Sequence, residues 1–168
     1  MFREPRGSVL GNSMLSEEEI AEVFSHCQYG TLAVNGEHGY PIAVPVNVAY
    51  HDGIVYFHTA ERGEKMDCIR QDARVSLNVY EEANDIGQQP ISAHRSVTVY
   101  GKAEILYGED MVEPLRYIAV AAGMPFKATD EYIMPRMKGI VAVRIVPEHM
   151  TGRIVKFGGM NRQKKQEA

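Results

Sequence analysis

Six short runs along the chain are rich in the β-branched and aromatic residues of strands, and a few other blocks carry the wider spacing of a helix. The first helical block is "SEEEIAEVFSHC". Ser16, with Glu19 three residues on, fits a capping box, and Ile20, Val23 and Phe24 share one helical face. This helix should end before Gly30. Strand signals then follow at short intervals. "YGTLAV" leads through the turn chemistry of "NGEHG" into "YPIAVPVNVAY", and "HDG" leads into "IVYFHT". Pro41 and Pro45 remove two ladder donors, so their strand should be an edge or interrupted strand.

"GEKMDCIRQ" reads as a short helix with Met66, Cys68 and Ile69 turned inward. "ARVSLNVY" and "RSVTVYGKAEIL" are further strands, the second with Val97, Val99 and Gly101 on one face. Between them, "EEANDIGQQPISAH" is a polar loop of a length often tied to function. A helix is expected over "DMVEPLRYIAVAAG", capped by Asp110, with Pro114 in its first turn and Gly123 and Pro125 ending it. "TDEYIMPRM" suggests a helical turn, and "GIVAVRIVP" is the last strand. Residues 1–15 read as an irregular arm broken by Pro5, Gly7 and Gly11. The tail from 151 to 168 is basic, with Arg153, Lys156, Arg162, Lys164 and Lys165.

Six closely spaced strands with helices at the periphery predict a mainly β, α+β protein: a six-stranded antiparallel barrel in a single domain over 1–168. A doubly wound parallel sheet would need a helix after nearly every strand. A hydrophobic content of 45% can build a core, and a net charge of −4 gives no overall field for nucleic acid. A basic tail could bind nucleic acid or an acidic surface, but a solvated terminus is the expectation here, with folding over a partner subunit as a third option. No run is long and apolar enough for a signal peptide or a membrane span. Two cysteines, Cys27 and Cys68, without a CxxC pair, suit a reducing compartment and packing roles. The expectation is a cytoplasmic protein that binds neither membrane nor nucleic acid.

Candidate chemistry gathers in "GIVYFHTAERGEKMDCI", where a strand hands over to a helix. A helix starting near Gly63 presents free N–H groups and a partial positive charge. Thr59 adds a hydroxyl, Arg62 and Lys65 add full charges, and Gly63 permits close approach of an oxyanion. These residues suit a phosphate monoester. The competing interpretation is a solvated turn with scattered charges, and the Glu64 carboxylate favours it. Neither GxxxxGK[ST] nor GxGxxG occurs. His51 and His58 lack a metal-site spacing, so no metal is expected.

That segment, read with its neighbours, resembles the pyridoxamine 5′-phosphate oxidase-like FMN-binding split barrels, particularly the 5-nitroimidazole reductase branch. The resemblance runs from about Phe2 to near Pro147. It is carried by "G-x-P-x-x-x-P-V-N", "I-x-Y-F-H-x-A-x-x-G-x-K" and "S-V-x-V-x-G-x-A" in that order. It implies a six-stranded split barrel and a homodimer with FMN at the subunit interface. Lys65 falls on the family's phosphate-binding lysine. Thr59 and Ala60 fall on the strand end lining the flavin, and His58 falls on a histidine beside it. Val46 and Asn47 match the strand that flanks the ring and ribityl chain. Ser96 sits on a strand that approaches the cofactor from the other subunit. Oxidase relatives carry Arg where this chain has Glu64; Arg62 or a tail residue could compensate.

The resemblance further implies an FMN-dependent oxidoreductase that reduces small electron-poor molecules such as nitroimidazoles and other nitroaromatics. His58, with an unperturbed pKa near ~6.5, is the candidate proton donor; the alternative is a histidine that packs on or hydrogen-bonds the flavin without chemistry. A flavin or haem carrier or redox sensor is the alternative, and a deazaflavin or haem could replace FMN. The oxidase's C-terminal Arg and His pattern is missing from "VPEHMTGRIVKF", which speaks against oxidation of a B6 vitamer.

Overall fold

The computed structural model describes Phe2 and residues 13–82, 93–126, 131, 133, 135 and 138–156. The strands are β1 (Ser13–Met14), β2 (Tyr29–Asn35), β3 (Pro41–Asn47), β4 (Ala49–His51), β5 (Ile54–Ala60), β6 (Arg74–Glu82), β7 (Ala93–Leu106) and β8 (Ile140–Lys156). They form one antiparallel sheet in the order β3-β2-β6-β7-β8-β5-β4, with β1 added to β8. The helices are α1 (Glu17–His26), α2 (Glu64–Gln71) and α3 (Val112–Ala121). β3 and β4 lie at opposite ends of the strand order, yet Val48 alone separates them in the chain. The chain itself therefore joins the two edges and curls the sheet into a split barrel.

Among the described residues, eight strands replace the expected six for two reasons. "YPIAVPVNVAY" is not one strand: it pairs with β2 as far as Asn47, then with β5 from Ala49. The short β1 pairs with β8 within the stretch read as an irregular arm. The last strand also passes the proline expected to end it. Tyr100 faces His149 while Gly101 faces Pro147, so Glu148 is the extra residue of a bulge, a position where a strand tolerates proline. Residues 151–156 of the expected tail thus belong to β8. Residues 157–168, and the loop residues 83–92, lie outside the described residues.

Local signals act as their chemistry dictates. Glu19 N–H donates to Ser16 Oγ at 3.3 Å and Ser16 N–H to Glu19 Oε2 at 2.8 Å, completing the capping box of α1. Pro41 and Pro45 fall on β3, at one end of the strand order. Asp110 does not cap α3. It lies in a 3₁₀ turn, Gly108–Met111, that leads into the helix, with Met111 at the N-cap and Pro114 in the first turn.

The period of two sends Leu32 and Val34, Val55 and Phe57, Leu77 and Val79, Val97 and Val99, and Val143 and Ile145 into the barrel, all at most 2% exposed. Met66, Cys68 and Ile69 of α2 and Val23 and Phe24 of α1 join this core. A second cluster forms on the outside of β5 and β8, where Tyr56 and Ala142 meet Leu115 and Ile118 of α3. Polar bonds fasten α1 to the sheet: Arg95 donates to Glu22 and Glu81, each at 2.6 Å, and Glu81 also meets His26 Nδ1 at 2.8 Å.

At Gly101 the backbones come too close for a side chain. An added Cβ would stand 2.3 Å from the Val146 carbonyl oxygen. Gly101→Ala should therefore destabilise the barrel by ~1–3 kcal/mol in urea titration, because backbone of the neighbouring strand must yield. A midpoint equal to wild type would show that the bulge absorbs the methyl group.

Candidate functional site at the split of the barrel

Alternation along β5 sorts the candidate residues onto two faces. Thr59 points inward with Val55 and Phe57 and is 8% exposed, and Val46 is likewise buried in the core. His58 and Ala60 lie on the outer face with Tyr56. Ala49 pairs with Tyr56, so continuing the ladder would set Asn47 opposite His58. It does not continue. Asn47 pairs with Tyr29 of β2, and among the described residues the edge of β5 beyond Tyr56 has no ladder partner on that side. On its other side β5 stays paired with β8 as far as Ala60–Ile140. The split thus leaves one row of β5 main-chain groups near Asn47 and His58 without a ladder partner among the described residues.

A cavity of about 450 Å³ opens at this point. Asn47 and His58 line one wall, and Leu115, Ile118 and Met124 form much of the other. The His58 Nδ1 atom is buried with no hydrogen-bond partner among the described residues. Burial, and then the Lys65 ammonium, hold the His58 pKa below its ordinary value. The folded chain thus binds the His58 proton less readily than the unfolded chain. The resulting stability is complete above a pH of about 6.5 and is lost as pH falls through the lowered folded value. His58→Gln should flatten that acid slope in denaturation at pH 5 and 7.5; a slope as steep as wild type would contradict it.

The β5–α2 turn supplies the cationic end. Gly63 caps α2 at φ 128° and ψ 163°, a region essentially confined to glycine, and an added Cβ would meet open space. The first α2 bonds run from Met66 and Asp67 N–H to Gly63 O, so the N–H groups of Glu64 and Lys65 precede them and face out of the helix end. Lys65 is half-buried, while Arg62 and Glu64 are exposed. Arg70, which the sequence did not single out, donates to the Glu61 carbonyl at 2.7 Å and to Asp67 at 3.1 Å, pinning the turn.

Ser96 is not brought to this place within one chain. It pairs with Arg153, eleven residues along β8 from Ala142, the partner of His58. That is about 36 Å of strand. The α3 wall was also absent from the sequence reading. Its residues stand more than 55 positions from His58, and their helical spacing reads as core packing. His51 stacks on Tyr117 at 4.1 Å, and the cysteines are buried and free.

The family model for pyridoxamine 5′-phosphate oxidase matches residues 16–154, spanning every element that builds the split. The chain belongs to the pyridoxamine 5′-phosphate oxidase family. Solved structures of similar fold include a conserved hypothetical protein from Mycobacterium tuberculosis (26% identical, 81% of this chain and 82% of that one, TM-score 0.67). An FAD-binding protein from Mesorhizobium loti is 25% identical over 85% of this chain and 96% of its own, with a TM-score of 0.61. A candidate 5-nitroimidazole antibiotic resistance protein from Bacteroides thetaiotaomicron shares the fold (14% identical, 93% and 96% covered, TM-score 0.67). No curated protein matches the chain in sequence. Among the described residues, no helix is long and apolar enough to cross a membrane.

Proposed function

We propose that this family member is an FMN-dependent oxidoreductase that reduces small electron-poor molecules, nitroaromatics and nitroimidazoles among them. One observation carries the reading: the anion-attracting start of α2 lies at the same end of β5 as the split. Gly63 and Lys65 suit a phosphate, and the unpaired edge of β5 offers main-chain donors and acceptors to a heterocycle. FMN bound there would supply the electron transfer itself.

The chain's own residues would do the rest. Lys65 balances phosphate charge, with Arg62 at the turn as a second cation. Asn47 offers an amide at the opening. His58, neutral at pH 7, hydrogen-bonds the bound molecules, and proton donation from its charged form grows as pH falls. The FAD-binding relative from Mesorhizobium loti supports a flavin as the cofactor class.

The same reading makes the protein a homodimer with the cofactor at the interface. Ser96 lies on the outer face of the sheet, distant from its own Lys65 turn, and would serve the partner's site. That face also exposes Tyr29, Tyr80 and Tyr100 among small residues such as Ala33 and Ser76. Free buried cysteines are in keeping with a cytoplasmic setting.

The test is to purify the protein, identify the chromophore it carries, and reduce it with NADH or NADPH before adding a nitroaromatic. Reduction followed by rapid reoxidation is expected. A flavin that no physiological donor reduces would make the protein a carrier or sensor. A released haem or deazaflavin would replace FMN in the reading, and turnover of pyridoxine 5′-phosphate alone would overturn the substrate class. A monomeric mass in light scattering with FMN retained would remove the interface site.

A further inference from the structure

Two sets of main-chain bonds bracket the β5–α2 turn. On the strand side, the ladder of β5 with β8 ends at Ala60 and Ile140, and Glu61 N–H then donates to Gly139 O at 3.1 Å. On the helix side, Met66 and Asp67 N–H donate to Gly63 O at 2.9 and 3.1 Å. Between them the chain turns a corner through Arg62 and Gly63, both exposed. A glycine permits many backbone conformations, so the path of this corner is set by what holds its flanks.

Arg70 supplies that hold. It stands in the last turn of α2, and side chains of a helix lean toward its N-terminus, so the guanidinium reaches back over the helix start. One of its nitrogens donates to the Glu61 carbonyl at 2.7 Å and another to Asp67 Oδ1 at 3.1 Å. The side chain of Tyr107, just past the end of β7, meets the same guanidinium. A planar fork can serve partners in several directions at once, which a lysine ammonium does less well. Charge matters here as well. Asp67 and Glu64 both lie in the first turn of α2, where a carboxylate opposes the arrival of an anion. The ion pair with Arg70 offsets the Asp67 charge.

We infer that Arg70 is a positioning residue for the phosphate of the cofactor: by tying Glu61 to Asp67 it fixes the turn in the form that presents the Glu64 and Lys65 N–H groups to an anion. Arg70 acts through the turn and not by contact with the phosphate. The inference rests on the phosphate-binding reading of this turn given above.

The experiment is a fluorescence titration with FMN and with riboflavin, which has the same ring and no phosphate. Wild type should bind FMN about tenfold or more tightly than riboflavin. Arg70→Met keeps the apolar stem and removes the fork. It should raise the Kd for FMN by about tenfold and leave that for riboflavin within about twofold. The ratio of variant to wild type should persist in about 1 M sodium chloride, where a charge acting at a distance is screened. Arg70→Lys keeps the charge without the fork and should behave like Arg70→Met. In the protein without cofactor, hydrogen exchange at the Met66 and Asp67 amides should quicken about threefold or more in Arg70→Met, since both donate to Gly63.

A wild type that binds riboflavin as tightly as FMN overturns the phosphate reading of the turn, and this inference with it. A wild type that prefers FMN while Arg70→Met matches it overturns the inference alone. So does an equal loss for both flavins, which marks general damage to the fold, and so does unchanged exchange at the two amides. A loss that vanishes in salt, or that Arg70→Lys repairs, makes Arg70 a charge and not a clamp, and overturns the inference too.

Discussion

Replacing Lys65 with alanine should raise the dissociation constant for FMN by about 10- to 150-fold. A hydrogen bond to a charged group contributes ~1.5–3 kcal/mol, and that range converts to this change in affinity. Lys65 is the cation that combines a place in the first turn of α2 with partial burial, and its charge is felt at His58. A half-buried ammonium is screened less by salt than an exposed one. Arg62 is exposed at the same turn, and Arg70 is committed to Glu61 and Asp67. Lys102→Ala is the control, since Lys102 sits on β7 paired with Glu148 at 3.2 Å. Flavin fluorescence titration reads both. Equal affinities for the two variants would refute the anchor.

Phe57→Ala should destabilise the fold by ~3–5 kcal/mol, the range for truncating a buried phenylalanine. That is a large share of a typical domain stability of ~5–15 kcal/mol. Phe57 is fully buried in the barrel and pairs with Val143 of β8. It is also the first β5 residue past the last β4 pair, where the ladder on that side has ended. Core packing therefore holds this part of β5 in place of the missing ladder. Urea denaturation of Phe57→Ala and of the exposed Tyr40→Ala should separate them clearly, the second staying within ~0.5 kcal/mol of wild type. A loss below ~1 kcal/mol at Phe57 would show that β5 is held some other way.

Much of the fold was legible because its causes are local. The capping box at Ser16 needs two residues three apart. The β4–β5 turn needs Asp52 and Gly53, which both take positive φ, at 48° and 79°. The inward burial of Met66, Cys68 and Ile69 follows from helical spacing. The resemblance led to the right family for the same reason: its motifs are short and lie in order along the chain.

The misreadings have non-local causes. Pro147 looks like a strand end until the bulge at Glu148 gives it a place opposite Gly101. "YPIAVPVNVAY" looks like one strand because nothing in its alternation marks Val48 as the point where pairing passes from β2 to β5. Asp110 looks like a helix cap until the 3₁₀ turn takes it up. At the candidate site, the strand-to-helix turn carrying Gly63 and Lys65 was legible, whereas the α3 wall was not.

By itself, the sequence determined which residues face the barrel interior, where α1 begins, and that cations gather where a strand hands over to the short helix α2. Those follow from periodicity, capping and charge within a few residues of one another. The tertiary structure alone decided that Asn47 comes to His58, that α3 roofs the outer face of β5, and that Ser96 lies far from the Lys65 turn. Those follow from closing one sheet through a single residue, Val48, and a local pattern carries no record of which distant strand its open edge will meet.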